Sequence, residues 1–123
     1  MPEDYRQSLG KLGEDVACVE LQRRGYAILA RRYRTRFGEI DIIARDGETT
    51  VIVEVKTRDG DKFGDGADAV TGLKQRRVVN MAVDYLSRHK LHDRPCRFDV
   101  VAIDVSMAPP AVEIYVNAFG AAS

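Results

Sequence analysis

Between Ser8 and Arg24 the apolar residues Leu9, Leu12, Val16 and Val19 follow the three-and-four spacing of an amphipathic helix, and Gly25 stands where such a helix ends. The helical period then stops. From Tyr26 to Arg36 aromatic and β-compatible residues predict a strand with a basic flank. Residues 38–46 (GEIDIIARD) and 49–56 (TTVIVEVK) are β-rich runs on either side of Asp46-Gly47-Glu48, which predicts two antiparallel strands joined by a tight hairpin. Residues 57–68 (TRDGDKFGDGAD) hold three glycines and four aspartates and read as a loop that either closes over a substrate or is simply mobile. Val70, Leu73, Met81, Tyr85 and Leu86, interrupted by Lys74, Arg76 and Arg77, predict a half-buried helix running to about Lys90. Residues 96–105 and 111–116 are two further strands, joined through Met107-Ala108-Pro109-Pro110.

The order helix, three strands, helix, two strands implies an α/β domain with a mixed central sheet flanked by helices. The 123 residues, 45% hydrophobic and 31% charged, suit one domain with its own core, placed at about residues 8–116, and a frayed tail from Asn117 to Ser123. Cys18 and Cys96 are too few for a disulfide framework and lack metal-type spacing, so they read as small buried hydrophobes in a reducing compartment. The opening residues lack a signal-peptide pattern, and no apolar run approaches the ~18–20 residues of a membrane span. A cytoplasmic protein without a membrane partner is the expectation. Lysine plus arginine equals aspartate plus glutamate at 19 each, which excludes nucleic-acid binding by bulk positive charge and leaves only local placement.

Side chains alternate faces along a strand, so the hairpin sorts its own residues. One face carries Ile40, Ile42 and Ala44 from the first arm with Val51, Val53 and Val55 from the second, a core face. The other carries Glu39, Asp41 and Ile43 with Ile52, Glu54 and Lys56. An even-numbered turn puts Asp41 opposite Ile52 or Glu54 and gathers two carboxylates and an ammonium. Such a face either meets solvent, as the polar side of an antiparallel sheet commonly does, or is a site. Ile43 and Ile52 among the charges imply partial cover, and clustered carboxylates repel unless a cation intervenes. Aspartate and glutamate oxygens suit a hard ion such as Mg2+ or Mn2+.

Asp41, followed by a hairpin and Glu54-Val55-Lys56, resembles the Asp…(Asp/Glu)-x-Lys signature of the PD-(D/E)xK nuclease superfamily. Together with Leu12-Gly13-Glu14, Gly38-Glu39-Ile40-Asp41 and Val53-Glu54-Val55-Lys56-Thr57-Arg58, the pattern resembles the YraN-like uncharacterised protein family over about residues 8–105. The resemblance implies a restriction-endonuclease-like core, similar in layout to archaeal Holliday-junction resolvases. It implies catalytic positions at Glu14, Asp41, Glu54 and Lys56. Asp41, Glu54 and the backbone carbonyl of Val55 would hold the metal, with Glu14 completing the acidic site or recruiting a second ion. Lys56 would orient or deprotonate the attacking water in phosphodiester hydrolysis. Ile40 stands where the superfamily name has proline, which weakens the motif more than the chemistry. Without the resemblance, a solvated residue on the exposed helix face beside Asp15 and Glu20 is the commoner reading of Glu14.

Neutral overall charge hides a basic stretch. Arg23, Arg24, Arg31, Arg32, Arg34 and Arg36 include no acid among them and interleave with Tyr26 and Tyr33. These types bind phosphate and stack on bases, although solvated arginine-rich strands are common. Arg31, Arg32, Arg34 and Arg36, with Lys74 and Arg77 of the second helix, are the candidate nucleic-acid contacts. His89 and His92 lack acidic partners at metal spacing, and Asp99 and Asp104 have no assigned role. Three functions remain: a metal-dependent endonuclease acting on DNA in preference to RNA, branched or structured DNA included; a nucleic-acid-binding module of the same fold with little or no turnover; and a protein-interaction adaptor. A resolvase-like cut of two strands would call for a homodimer.

Overall fold

Local sequence signals reappear as the element order of the computed structural model, which describes residues 3–60 and 72–119. The elements are α1 (Glu3–Arg23), β1 (Ala27–Thr35), β2 (Gly38–Asp46), β3 (Thr49–Arg58), α2 (Gly72–Arg88), β4 (Cys96–Asp104) and β5 (Ala111–Phe119). At the end of α1, Gly25 has φ 93°, its N–H donates to the Gln22 carbonyl, and Tyr26 N–H donates to the Leu21 carbonyl. That is the left-handed cap glycine permits. Gly47, at φ 62°, turns the hairpin between the paired residues Asp46 and Thr49. No helix among the described residues is long and apolar enough to cross a membrane.

The five strands lie in the order β1-β2-β3-β4-β5, antiparallel except for the parallel pair β3 and β4. Parallel neighbours need a crossover, and the segment containing α2 makes it. Helix α1 covers one face with Ala17, Cys18 and Leu21 against Ile42, Ala44, Val51, Val53, Val101 and Ile103. Helix α2 covers the other with Val78, Met81, Ala82 and Tyr85 against Ile40, Ile43, Ile52 and Phe98. The strands in the middle are therefore buried on both sides, which corrects the expectation of a single core face. Each fully buried valine or isoleucine there is worth roughly 1.5–3 kcal/mol.

Several other expectations shift. Helix α1 starts at Glu3 rather than Ser8, and only part of its apolar stripe is covered: Val16 packs against the core, whereas Leu12 is 46% and Val19 59% exposed. Apart from Glu14 and Leu21, the residues turned inward are small ones, Gly13, Ala17 and Cys18, which let the helix lie close to the sheet. Leu73 likewise faces outward, at 61% exposure. Thr57 and Arg58 extend β3, paired with Ile103 and Asp104, and only the rest of the expected loop follows. Residues 61–71, with most of that loop and Val70, lie outside the described residues. Strand β5 continues through Asn117 to Phe119 because Phe119 stacks on Phe98 at 5.1 Å and Asn117 N–H donates to Asp99 at 2.9 Å. The tail expected from Asn117 thus begins no earlier than residue 120, and 120–123 lie outside the described residues.

Asp99, without a role in the sequence, is fully buried beside a register shift in the β4–β5 pair. Arg97 donates to it from Nε at 3.1 Å, to Asp46 from its guanidinium at 3.1 Å, and to the Tyr26 hydroxyl. One guanidinium thereby ties β4 to the β2 turn and to the start of β1. Removing one partner of such a buried pair strands the other charge.

Gly13 sets how close α1 comes. A Cβ built there would lie 1.8 Å from Thr57 Oγ1 and 2.9 Å from Thr57 Cβ. Alanine is the better helix former by about 1 kcal/mol. The overlap with β3 opposes that gain and is expected to win, so Gly13→Ala should lower the unfolding free energy by roughly 1–3 kcal/mol, the usual range for overpacking. Urea denaturation measures it; a midpoint at or above the wild-type value would show that α1 lifts off β3 without penalty.

Candidate active site

A break in strand alternation builds the site. The β2–β3 ladder runs from Asp46↔Thr49 to Ile42↔Val53 and stops. One more step of that register would set Asp41 opposite Glu54. Instead the Asp41 carboxylate accepts the Val55 N–H at 2.8 Å. On the other side of β2, Arg32 and Asp41 are the pair missing from the β1–β2 register, and Arg32 has φ 50°. The alternation of both strands breaks here, on β1 at this left-handed residue, which costs of order 1–2 kcal/mol, and on β2 at Asp41 beside it. The break lets Ile40 join the core under α2 while Ile42 joins the core under α1. It also lets the neighbours Arg31 and Arg32 both reach α1, at Asp15 (2.8 Å) and Glu14 (2.9 Å).

Strand β3 stays straight through the break because β4 pairs with it from Thr50 to Arg58. Its far edge therefore opens toward Asp41. A strand residue directs its N–H and C=O to the same side, so the Val55 carbonyl faces the gap that its N–H crosses to Asp41. Glu14, Asp41, Val55 and Thr57 line a cavity of about 440 Å³, completed from α1 by Tyr5, Arg6, Leu9 and Gly10. The Tyr5 hydroxyl donates to Asp59 at 2.6 Å and ties the start of α1 to the end of β3. Glu14 is 9% exposed, so it belongs to this wall and not to a solvated helix face.

The electrostatics are those of buried, crowded charge. Burial raises the Asp41 pKa, opposed by the Val55 N–H. Glu54 is 3% exposed, and burial followed by the Asp41 charge pushes its carboxyl up to about 7. One of its oxygens lies 3.3 Å from Lys74 Nζ, while Oε2 is buried without a hydrogen-bond partner among the described residues. Half-buried Lys56 is driven down to about 8, first by desolvation and then by Lys74. Among the described residues no three His, Cys, Asp or Glu side chains form a ready-made metal-binding group. The oxygen donors at hand are Asp41, Glu54 and the Val55 carbonyl, with Glu14 on the cavity wall. They form a small, hard set of the kind that leaves coordination positions for water.

The expected acidic positions and Lys56 are thus brought to the splayed end of the hairpin, and a lysine placed elsewhere by the sequence reading joins them. Lys74, a candidate nucleic-acid contact, reaches Glu54 from the first turn of α2. Nothing in the sequence links positions twenty residues apart, so no local signal could have found it. The arginines are mostly engaged: Arg23 and Arg24 with Glu20, Arg31 with Asp15, Arg32 with Glu14, and Arg34 with Glu39 at 2.9 Å. Arg36 lies over the Phe37 ring at 5.0 Å, and Arg77 is exposed on α2 near Gly38. The basic stretch is therefore not a bare cationic strip. Its acids come from α1 and β2.

A carboxyl that binds its proton more tightly in the folded chain stabilises the fold below its unfolded pKa, 4.5 for Glu54, and loses that contribution as pH rises through about 7. The full span corresponds to about 3 kcal/mol at ~1.4 kcal/mol per unit. In chelator, stability should fall between about pH 5 and pH 7.5. Glu54→Gln, which mimics the protonated acid, should flatten that slope and be the more stable chain at the higher pH. Parallel denaturation curves at both pH values check this; equal slopes in the two chains would mean that Glu54 ionises there without penalty.

The model of the Uncharacterised protein family UPF0102 matches residues 13–103, which include Glu14, Asp41, Glu54, Val55, Lys56 and Lys74. A UPF0102 protein of Geobacter metallireducens is 45% identical over 115 residues, covering 94% of each chain. Another from Syntrophus aciditrophicus is 47% identical over 110 residues, 89% of this chain and 87% of that one. A third, from Parafrankia sp., is 50% identical over 97 residues, 79% and 82% of the two chains. With the match running from α1 through β4 and relatives spanning nearly the whole length, this chain belongs to the UPF0102 family.

Proposed function

We propose that this protein is a metal-dependent endonuclease, with Mg2+ or Mn2+ as cofactor, that hydrolyses phosphodiester bonds of DNA, branched or structured DNA among its substrates. The observation that carries the reading is the buried pair Asp41 and Glu54, each raised in pKa by burial, with Glu54 Oε2 unpartnered among the described residues. Two crowded carboxylates with an open oxygen suit a hard cation. Asp41, Glu54 and the Val55 carbonyl would hold it, and Glu14 is placed to add an oxygen from the α1 side. A divalent ion bound there supplies Lewis acidity, lowering the pKa of water and taking up charge on the phosphate.

The chain's own groups have distinct tasks. The Val55 N–H fixes the direction of the Asp41 carboxylate, and Arg32 fixes Glu14. Lys56, with a pKa near 8, exchanges a proton close to neutral pH. As the amine it takes a proton from the attacking water; as the ammonium it faces the negative charge on the phosphoryl oxygens. The resemblance to the PD-(D/E)xK signature supports the same roles, since Asp41, Glu54 and Lys56 sit at the point where the hairpin opens. Exposed Arg36 and Arg77 offer charge to a DNA backbone, whereas Arg31 and Arg32 would have to leave Asp15 and Glu14 to do so. Cytoplasmic DNA is the partner this reading requires, and a symmetric two-strand cut would add a two-fold dimer.

A panel of duplex, single-stranded and branched DNA and RNA, incubated with Mg2+ or Mn2+, tests the proposal. Cleavage should require the metal, and Asp41→Ala, Glu54→Ala and Lys56→Ala should each lower it by at least about a hundredfold. Cleavage that survives unchanged in Asp41→Ala and Glu54→Ala would sink the assignment. Salt-sensitive binding with no cleavage of any substrate would leave a nucleic-acid-binding module instead.

A further inference from the structure

Lys74 stands out because its contact is specific and its position costly. Its ammonium lies 3.3 Å from Glu54 Oε1, with the two side chains 34% and 4% exposed. It comes from α2, on the face of the sheet opposite α1, and so closes the site from a second layer. The other oxygen of the same carboxylate has no hydrogen-bond partner among the described residues. Glu54 is thus half capped by a cation of the chain itself.

We infer that Lys74 is the built-in counter-cation of this site: it neutralises Glu54 when no divalent ion is bound, and an incoming ion has to displace it. The inference rests on the metal-dependent reading above. Local charge makes the argument. Fully ionised, Asp41 and Glu54 carry two negative charges and Lys56 and Lys74 two positive ones, so the ionised set already balances, with Glu54 held by Lys74. A divalent ion added to that set leaves an excess of two positive charges in a half-buried volume, where unscreened repulsion is strong. The balance is restored when the Lys74 ammonium swings out of the Glu54 contact and a phosphodiester enters with its own negative charge. Lys74 then meets the phosphate instead of the carboxylate. Metal occupancy and substrate binding are coupled through one side chain, and the N-terminal turn of α2 is held to β3 in the metal-free protein and released in the loaded one.

The test is Mn2+ binding by the full chain, followed by electron paramagnetic resonance or calorimetry without nucleic acid. Lys74→Met should bind Mn2+ at least about tenfold more tightly than wild type, because a competing charge is gone. Lys74→Arg, which keeps the charge, should stay within about threefold. The rise in melting temperature on adding Mn2+ should be larger in Lys74→Met than in wild type. Should Lys74→Met fail to fold, Lys74→Gln gives the same comparison with a polar side chain. Asp41→Asn should abolish the binding in every background, which ties the signal to this site. Mn2+ affinity that is unchanged or weaker in the uncharged variants overturns the role of Lys74 and leaves the metal site standing; absence of Mn2+ binding in wild type and variants alike overturns both.

Discussion

The pairing of β2 with β3 ends at Ile42↔Val53, and beyond it the Asp41 carboxylate does the work of a backbone carbonyl, accepting the Val55 N–H at 2.8 Å. That substitution satisfies a donor that would otherwise be left bare inside the protein. It also parts the two strands without loosening β3, which stays fully laddered to β4. Everything at the site follows from this parting: the open edge at Val55, the cavity that Glu14 and Thr57 line with Asp41, and the presentation of Glu54 and Lys56 side by side. The left-handed Arg32, lying across the sheet from Asp41, shows that the distortion is shared by two strands. Strain of this size persists only where the surroundings over-determine it. Here the surroundings are the Glu14 carboxylate that holds Arg32 and the two cores that hold Ile40 and Ile42 on opposite faces.

Close packing on one face supplies the second half of the design. Helix α1 meets β3 through Gly13, where no side chain intervenes, and this brings Glu14 into the wall of the cavity. A bulkier inward face would bury more apolar area and hold the glutamate away. On the opposite face α2 makes a conventional apolar contact through Val78, Met81, Ala82 and Tyr85, and delivers a lysine from its first turn. The two helices thus differ in what they bring to the sheet: an acid at close range, and a base at the end of a long flexible side chain.

The zero net charge has a structural counterpart. Pairs such as Arg31 with Asp15, Arg32 with Glu14 and Arg34 with Glu39 join residues remote from one another or on facing strands, and the exposed ones contribute little to stability. Buried pairs behave differently. The Arg97 guanidinium, shared among Asp99, Asp46 and Tyr26, satisfies a carboxylate that has no access to water. Of the buried acids among the described residues, Glu54 is the exception, since one of its oxygens is left over. In a fold that pairs its charges so thoroughly elsewhere, that leftover oxygen sets Glu54 apart from the acids that hold the structure together.

What the sequence by itself determined was whatever depends on neighbours along the chain: the element order, the Gly25 cap, the Gly47 hairpin and the candidate trio Asp41, Glu54 and Lys56, all set by turn chemistry and period-two alternation. Its misreadings share one cause. The stripe through Leu12 and Val19 was the apolar face of α1 but only in part the buried one, because which face is buried depends on how near the sheet must come, and Gly13 against Thr57 decides that. Strict alternation placed Ile40 with Ile42, and a break at Asp41, beside the left-handed Arg32 of the next strand, separates them. Lys74 and Glu54, like Arg97 and Asp46, are pairs made by the crossover of the chain. Only the tertiary structure decided which charges meet, because a salt bridge depends on a few ångströms of space and carries no signature in sequence distance.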